Sequence, residues 1–240
     1  MEKINLMNLD TKKTSVIVPF FNEEATLQDA VLDLINNNFH DEIILVNDGS
    51  TDNSLLISKQ LVDKYSYIKI VNNSTNKGKG YALRLGLKHV SFDVVAIFDA
   101  DLEYSAEDLK IICDTMHNEN YDFLSGSRFI GNKKRDNIYL RTFLANKLFS
   151  LFFSKIYKKK FTDVATCLKV FKKVLLNGVQ LNSNGFEIEI ELLAKLLIKV
   201  ENYKEVPITY KGRSYLEGKK IKLIDGFKYI YSIIKFKWIK

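Results

Sequence analysis

A run of acidic residues follows an apolar segment near the middle of the chain. Residues 94–98 are wholly apolar, and Asp99-Ala-Asp101-Leu-Glu103 comes directly after them. Because side chains alternate along an extended chain, the three carboxylates are expected to point the same way and to repel one another unless a cation lies between them. Such oxygen ligands suit Mg²⁺ or Mn²⁺, which would also bridge a diphosphate. The alternative is that these residues only end a strand and cap a helix that begins near Ala106.

A second polar segment, Asn76-Lys-Gly-Lys-Gly80, lies between a predicted strand and a predicted helix. Backbone N–H groups and lysine charge at such a place favour a phosphate, so Lys77 and Gly78 are candidate donor-binding residues. The segment lacks the spacer and the ending of a Walker loop, and Leu83 stands where a dinucleotide-binding fingerprint has its third glycine. By itself, a loop of this kind is more often an ordinary solvated turn.

A third polar segment, Asn47-Asp-Gly-Ser-Thr-Asp52, also follows an apolar run. Asp48 at the end of a strand can accept hydrogen bonds from a base or a ribose; the alternative is a turn followed by a helix cap. The three histidines are scattered, and neither Cys113 nor Cys167 has a partner at metal-ligand spacing. We therefore expect no zinc site and no Ser/His/Asp grouping.

These segments follow predicted strands that alternate with predicted helices. Strands are predicted at 15–19, 42–46, 67–71 and 94–98, and helices at 25–35, 54–65 and 80–90. Repeated β–α units with apolar strands predict an α/β fold, a mostly parallel sheet with helices on both faces. Ligands bind such sheets beyond the carboxyl ends of the strands, so four polar loops are expected to converge on one crevice. The less regular second half predicts strands at 121–128 and 166–171, and helices at 140–157, at 187–200 and from 223.

Composition narrows the class of protein. The chain has 240 residues, 46% of them apolar and 27% charged, which is ordinary for a globular protein of one sizeable domain. Two cysteines are too few for a disulfide framework, and the polar N-terminus does not resemble a signal peptide, so a cytoplasmic location is expected. No apolar run is long enough to predict a membrane span. The net charge of +7 suggests a polyanionic partner: nucleic acid, an anionic membrane surface or a phosphorylated substrate.

Taken together, the motifs resemble those of family 2 glycosyltransferases, which have the GT-A fold. The resemblance begins with Val18-Pro-Phe-Phe-Asn-Glu23 and Val46-Asn-Asp-Gly-Ser-Thr-Asp52, and the two segments around Lys77 and Asp99 follow in the same order. It continues through Gly126-Ser-Arg-Phe129, Thr162-Asp-Val-Ala-Thr-Cys-Leu-Lys-Val-Phe171, Gly185-Phe-Glu187 and Gly212-Arg-Ser-Tyr-Leu-Glu-Gly-Lys-Lys-Ile221. The chain is most similar to the branch that transfers hexoses to dolichyl or polyprenyl phosphate.

The resemblance implies residue roles and a reaction. It implies that the nucleoside contacts Pro19, Phe21, Glu23 and Asp48. It implies that the diphosphate and a Mg²⁺ or Mn²⁺ ion are held by Asp99, Ala100 and Asp101, with Glu103 as a further metal ligand. It assigns Arg128 and Asp163 to the reaction centre, and Arg213 and Lys220 to the acceptor phosphate. One departure is Asn47, where most relatives have Asp. Another is that many relatives carry transmembrane helices after the catalytic domain, which this sequence is not expected to have.

The reaction expected from this resemblance is an inverting displacement at the anomeric carbon of a GDP- or UDP-hexose. A phosphate acceptor is already an anion at pH 7 and needs no strong general base. Asp163 would then orient the acceptor, or act as base if the acceptor is a hydroxyl; the sequence leaves both roles open. We divide the chain into a catalytic domain, 1–220, and a C-terminal amphipathic helix, 221–240.

Membrane contact is expected because a polyprenyl acceptor lies in a bilayer. Residues 223–238 carry an apolar stripe at helical spacing with lysines beside it, and residues 144–160 do the same. We expect peripheral association with the cytoplasmic membrane face; the alternatives are core helices or a dimer face. No nucleic-acid module is visible, and the oligomeric state stays open.

Three other functions remain as alternatives to transfer onto a lipid phosphate. A soluble or glycan hydroxyl acceptor is one, although the basic segment 212–221 argues against it. A nucleotidyltransferase is another, but it would have a glycine-rich basic loop directly after the first strand, which this sequence lacks. An inactive nucleotide-sugar or nucleic-acid binding protein is the third.

Overall fold

A computed structural model describes residues 12–137, 139–214 and 223–238. Lys220 and its neighbours in 215–222 therefore lie outside the described residues. The strands are β1 Thr14–Phe20, β2 Glu42–Asp48, β3 Ile68–Asn73, β4 Val94–Ile97, β5 Phe123–Ser127, β6 Arg135–Asp136, β7 Lys169–Lys172, β8 Tyr203–Pro207 and β9 Tyr210–Lys211. The α-helices are α1 Leu27–Asn36, α2 Ser54–Lys64, α3 Lys79–Leu87, α4 Ala106–Asn118, α5 Leu140–Tyr157, α6 Ile188–Leu196 and α7 Leu223–Trp238.

One seven-stranded sheet organises these elements, in the order β3-β2-β1-β4-β7-β5-β8. The first four strands are mutually parallel, with Ile17 opposite Ile44 on one side and Ile97 on the other. A separate two-stranded ribbon of β6 and β9 lies outside this sheet. The parallel part puts the carboxyl ends of β1 to β4 at one edge, as the sequence predicts.

The α/β fold is confirmed, with a difference in the direction of one strand. β7 runs antiparallel to both β4 and β5, whereas β8 is parallel to β5. The strand predicted at 166–171 begins only at Lys169, and the helix predicted at 187–200 ends at Leu196 and continues as a 3₁₀ turn, Leu197–Lys199. Strand direction depends on the length and path of the connecting chain, which local periodicity does not report.

The core has two layers because β1 and β2 are buried on both faces. On one face, residues such as Val16 and Val18 pack against α1 and α4. On the other face, Ile17 and Ile44 contact α3, and this layer continues through α5, α6 and α7. In α7 the buried side chains include Tyr229, Ile233 and Phe236. Among the helices that the structure describes, none has the length and apolar character needed to cross a membrane.

Candidate active site

The loops after β1 and β2 are joined by hydrogen bonds at the carboxyl edge of the sheet. Thr51 donates its N–H to the Asn22 side chain at 2.8 Å, and Glu23 donates its N–H to the Ser54 hydroxyl at 2.8 Å. The Glu23 side chain is buried, at 8% exposure, and faces the crevice beyond the strands. The expected convergence of the polar loops therefore begins here, with Pro19 inside β1 and Phe21 half-buried just beyond it.

Asp48 is buried, and its carboxylate shapes the loop that follows β3. The carboxylate accepts hydrogen bonds from the side chains of Asn73 (3.1 Å) and Asn76 (3.0 Å). It also accepts from the backbone N–H of Lys77 (3.1 Å) and of Gly78 (2.6 Å). Gly78 has φ of 102°, a backbone conformation that favours glycine, and a Cβ there would collide with the Asn184 carbonyl. Asp48 thus holds the 76–78 loop in its conformation.

The same contacts occupy several backbone donors of this loop. The N–H groups of Lys77 and Gly78 donate to Asp48, and those of Gly80 (2.7 Å) and Tyr81 (3.3 Å) donate to the Asn184 carbonyl. Protein groups therefore engage the backbone N–H groups of Lys77, Gly78, Gly80 and Tyr81. The Lys77 ammonium lies over the Tyr81 ring, 4.5 Å from its centroid, and donates to the Tyr81 hydroxyl at 3.4 Å.

Asp99 is held by a lysine that the sequence analysis did not single out. The Lys79 ammonium lies 2.7 Å from Asp99 and 2.9 Å from Glu189 of α6. Burial lowers the pKa of Lys79, but the Asp99 and Glu189 carboxylates outweigh it and hold that pKa well above its usual value. Glu189 is also paired with the buried Lys169 at 2.5 Å. The available signal for Glu189 was an acidic residue between apolar ones, in Ile188-Glu-Ile-Glu-Leu192 of α6.

Asp101 and Glu103 are engaged by the segment after β9. Arg213 lies 3.2 Å from Asp101, and its other guanidinium nitrogen lies 2.9 Å from Glu23. Its backbone N–H donates to Glu103 at 2.8 Å, and the Tyr210 hydroxyl donates to the other Glu103 oxygen at 2.8 Å. Arg213 therefore connects the residues expected to bind the nucleoside with those expected to bind the metal.

The pKa of Asp101 reflects this concentration of negative charge. Burial raises it first, Asp99 and Glu103 raise it further, and Arg213 lowers it, for a pKa of about 7. The chain is not extended here as expected, since Leu102 has φ of 59° and Glu103 N donates back to Asp101 at 3.1 Å. Nor do the carboxylates cap α4, because Ser105 does so by accepting the N–H of Glu107.

The carboxylates of Asp99, Asp101 and Glu103 are chemically suited to bind a divalent cation. Three carboxylates lie within five residues, and burial, followed by the charges of Asp99 and Glu103, raises the pKa of Asp101. Within residues 12–137, 139–214 and 223–238, however, no three acidic, histidine or cysteine side chains form a ready metal cluster. One oxygen of Asp99 pairs with Lys79 and one oxygen of Asp101 pairs with Arg213, so a metal ion at these carboxylates would compete with both cations.

Arg128 and Asp163 form a buried, bidentate ion pair beside this region. Arg128 Nε lies 2.7 Å and its NH2 2.8 Å from the two Asp163 oxygens, and Arg128 N also donates to Asp163 at 3.0 Å. The Arg128 guanidinium lies 4.9 Å from the centroid of the Tyr210 ring. Burial lowers the pKa of Arg128, but Asp163 raises it well above its usual value. Both Asp163 oxygens already accept from Arg128, so Asp163 orients this arginine in the structure.

The structure thus brings most of the predicted site residues together. Glu23, Asp101, Glu103 and Arg213 form one connected group. Asp48 binds the backbone of Lys77 and Gly78, the neighbouring Lys79 pairs with Asp99, and Ala100 is buried. Sequence reasoning missed Lys79, Glu189, Lys169 and Tyr210. Lys79 lies inside a motif that was noted, but its carboxylate partners are distant in the chain.

Comparison with known proteins assigns the family. Glycosyl transferase family 2 matches residues 15–178, more than half of the chain. Over 234 residues the chain is 30% identical to the dolichol-phosphate mannosyltransferase of Pyrococcus furiosus, covering 94% of this chain and 64% of that protein. Over 239 residues it is 28% identical to the UDP-N-acetylglucosamine–dolichyl-phosphate N-acetylglucosaminyltransferase of Methanococcus voltae. This match covers 92% of this chain and 95% of that protein.

A solved structure with a similar fold is glucosyl-3-phosphoglycerate synthase from Mycobacterium tuberculosis, in complex with Mn²⁺, UDP and phosphoglyceric acid. Its TM-score is 0.74 at 16% sequence identity, covering 95% of this chain and 79% of that one. At this identity the likeness shows the fold alone. The sequence match, the sheet order and the loop motifs agree, and the chain belongs to glycosyl transferase family 2.

Proposed function

We propose that the protein transfers a hexose, with inversion, from a nucleotide-diphosphate sugar to a polyprenyl phosphate at a membrane surface. The observation that carries this proposal is the contact of Arg213 with both Glu23 and Asp101. A basic side chain from the segment expected to bind the acceptor thereby reaches the side expected to bind the donor. The relatives from P. furiosus and M. voltae are both named for dolichyl-phosphate acceptors, which supports the same acceptor class.

On the donor side, Glu23 and Asp48 are proposed to bind the nucleoside, and Asp99, Asp101 and Glu103 to hold the diphosphate and a Mg²⁺ or Mn²⁺ ion. The metal would supply positive charge to the departing nucleoside diphosphate. Asp101 and Glu103 are the proposed metal ligands that a movement of Arg213 sets free. Asp99, paired with Lys79, is proposed to face the donor from the other side.

On the acceptor side, the phosphate of the lipid is the proposed nucleophile. One of its oxygens forms a bond to the anomeric carbon as the bond from that carbon to the nucleoside diphosphate breaks. No proton has to be removed, so no general base is needed. Arg128, oriented by Asp163, and Arg213 are proposed to hold the acceptor phosphate, with Lys220 from the same segment as Arg213.

Two exposed apolar stripes support contact with a lipid surface. The stripe on α5 consists of Leu140, Leu144, Leu148 and Leu151, and the stripe on α7 consists of Phe227, Ile230, Tyr231, Ile234 and Trp238. The two helices pack together, since Tyr157 donates its hydroxyl to the Ile233 carbonyl at 3.0 Å. Lysines flank both stripes, as expected beside anionic headgroups. Because α7 also buries side chains in the core, we propose that residues 223–238 belong to the catalytic domain's own packing.

The reaction is tested by giving purified protein polyprenyl phosphate in detergent, Mn²⁺ or Mg²⁺, and GDP-mannose, UDP-glucose or UDP-N-acetylglucosamine in turn. Sugar-labelled lipid is the expected product, and Asp101→Asn is expected to abolish it. Hydrolysis of the donor without a lipid product would indicate that the acceptor is a soluble compound. No binding of any donor would contradict the proposal.

The membrane contact has its own test in flotation with phosphatidylglycerol vesicles. Leu144→Ser is expected to weaken vesicle binding by about tenfold, because a buried leucine contributes roughly 1.5–3 kcal/mol. Leu56→Ser is the matched control, since Leu56 on α2 has the same 56% exposure as Leu144 and lies outside both stripes. Equal losses in the two variants would contradict docking through α5.

A further inference from the structure

A buried row of four alternating charges lies beneath the donor side of the site. It runs from Asp99 through Lys79 and Glu189 to Lys169, with nitrogen–oxygen distances of 2.7, 2.9 and 2.5 Å. The side chains of Lys79, Glu189 and Lys169 are 12%, 2% and 0% exposed, so solvent screens these contacts weakly. Two ammonium and two carboxylate groups sum to no net charge, so the row is balanced without a bound ligand.

Lys79 is fixed from several directions. It is the first residue of α3, and its ammonium lies 6.0 Å from the centroid of the Phe186 ring. Glu189, which holds Lys79, is itself held by Lys169 of β7, and the lysines keep the pKa of Glu189 low in spite of burial. Lys79 therefore has little freedom to leave Asp99 when a ligand arrives.

Arg213 differs from Lys79 in this respect. It pairs with Glu23 and Asp101, which are themselves expected to bind the nucleoside and the metal ion. The segment that carries Arg213 follows the two-residue strand β9. The carboxylates at the carboxyl end of β4 are thus held by two different cations. Lys79 is anchored in the core, and Arg213 comes from the periphery of the site.

We propose that Lys79 is a positioning residue for the nucleotide-sugar donor: it holds the Asp99 side chain in one orientation, and Glu189 and Lys169 hold Lys79. This inference rests on the proposed function, because Asp99 is taken to face the donor. Without the ammonium, the Asp99 side chain would rotate toward solvent or toward the other carboxylates. Donor binding would then lose an oriented hydrogen-bond acceptor, while the acceptor phosphate, served by Arg128 and Arg213, would be little affected.

The test compares the wild type with Lys79→Met. The expected results are a rise of about tenfold or more in the Kd for UDP or GDP, measured by calorimetry in EDTA, and a similar rise in donor KM. The acceptor KM is expected to change less than about twofold. Lys79→Arg should recover most of the affinity, because a guanidinium can pair with two carboxylates. Lys69→Met, which breaks a pair with the buried Glu42 at the other end of the sheet, is the matched control.

A double-mutant cycle separates positioning from general destabilisation. If Lys79 acts through Asp99, Lys79→Met has no further effect on nucleotide Kd in an Asp99→Asn background. That double variant also removes one charge of each sign, so it remains assayable if Lys79→Met alone unfolds. An unchanged Kd in folded Lys79→Met, or losses that multiply in the double variant, would overturn the inference.

The two proposals fail in different ways. If the wild type binds UDP or GDP but makes no lipid-linked sugar, the acceptor assignment fails and Lys79 is still judged by the nucleotide Kd. If the wild type binds neither nucleotide, in EDTA or with Mn²⁺, both proposals are overturned.

Discussion

Replacing Arg213 by alanine is expected to make Mn²⁺ bind more tightly in the absence of donor. The Arg213 guanidinium lies 3.2 Å from Asp101, so an incoming ion competes with it for that carboxylate, whereas the backbone N–H that Arg213 donates to Glu103 is kept in the alanine variant. A hydrogen bond to a charged group contributes about 1.5–3 kcal/mol, and partial exposure of this pair reduces that to about 1–2 kcal/mol. Removing the competitor should therefore lower the Kd for Mn²⁺ by about 5- to 30-fold.

The Mn²⁺ Kd can be measured from the EPR signal of the free ion at pH 8, where Asp101, with a pKa of about 7, is mostly ionised. Lys133→Ala is the matched control, because it removes one positive charge from a pair with Asp108, away from the three carboxylates. The same Arg213→Ala variant is expected to transfer sugar more slowly, since it lacks a group for the acceptor phosphate. Mn²⁺ binding that is unchanged or weaker than in Lys133→Ala would refute the competition.

Three further predictions concern stability and pH. Arg128→Met should lower the free energy of unfolding by about 3–5 kcal/mol in urea, because it leaves the buried Asp163 carboxylate without its partner; a loss below about 1 kcal/mol would contradict this. Gly80→Ala should destabilise the protein by about 1–3 kcal/mol, read as a lower Tm, because its Cβ would collide with the Ser183 carbonyl. Mn²⁺ affinity should level off above about pH 8 and fall by about tenfold per pH unit below about pH 6, since the raised pKa of Asp101 means that its proton returns as pH falls through about 7; Asp101→Asn should remove this dependence.

The first half of the fold was predictable because its information is local. Apolar runs at residues 42–46 and 94–98 match β2 and β4 closely, and the polar loops after them lie at one edge of the sheet. In a parallel sheet, the loop after each strand reaches the same edge whatever its sequence. The convergence of Glu23, Asp48 and Asp101 therefore followed from topology and motif order.

The charge pairs were not predictable, because they join residues distant in the chain. In the sequence Lys169 is one of many lysines, but in the structure it is fully buried and pairs with Glu189. The left-handed backbone of Leu102, a residue type that rarely adopts it, likewise has no local signal and turns the acidic segment out of the extended form. Arg213 and Asp101, which form an ion pair, are more than a hundred residues apart in the sequence.

The antiparallel strand β7 brings Asp163 and its neighbours, which precede it in the chain, to the site. Because β7 is antiparallel to β4, the residues before β7 lie near the carboxyl end of β4. A search confined to segments that follow strands would have missed this position. The family resemblance, not the periodicity, identified Asp163 in the sequence.

The order of strands in the sheet also governs how the chain folds as it leaves the ribosome. β1 to β4 are consecutive in sequence and adjacent in the sheet, so half of the sheet can pair as soon as residues 14–97 have emerged. β5 has no such neighbour at that stage, since its partners β7 and β8 are synthesised later. Until Pro207 has been made, β5 has unpaired backbone groups along at least one edge, which other strands can join. Incomplete chains that end between β5 and β8 are consequently the products expected to aggregate during synthesis.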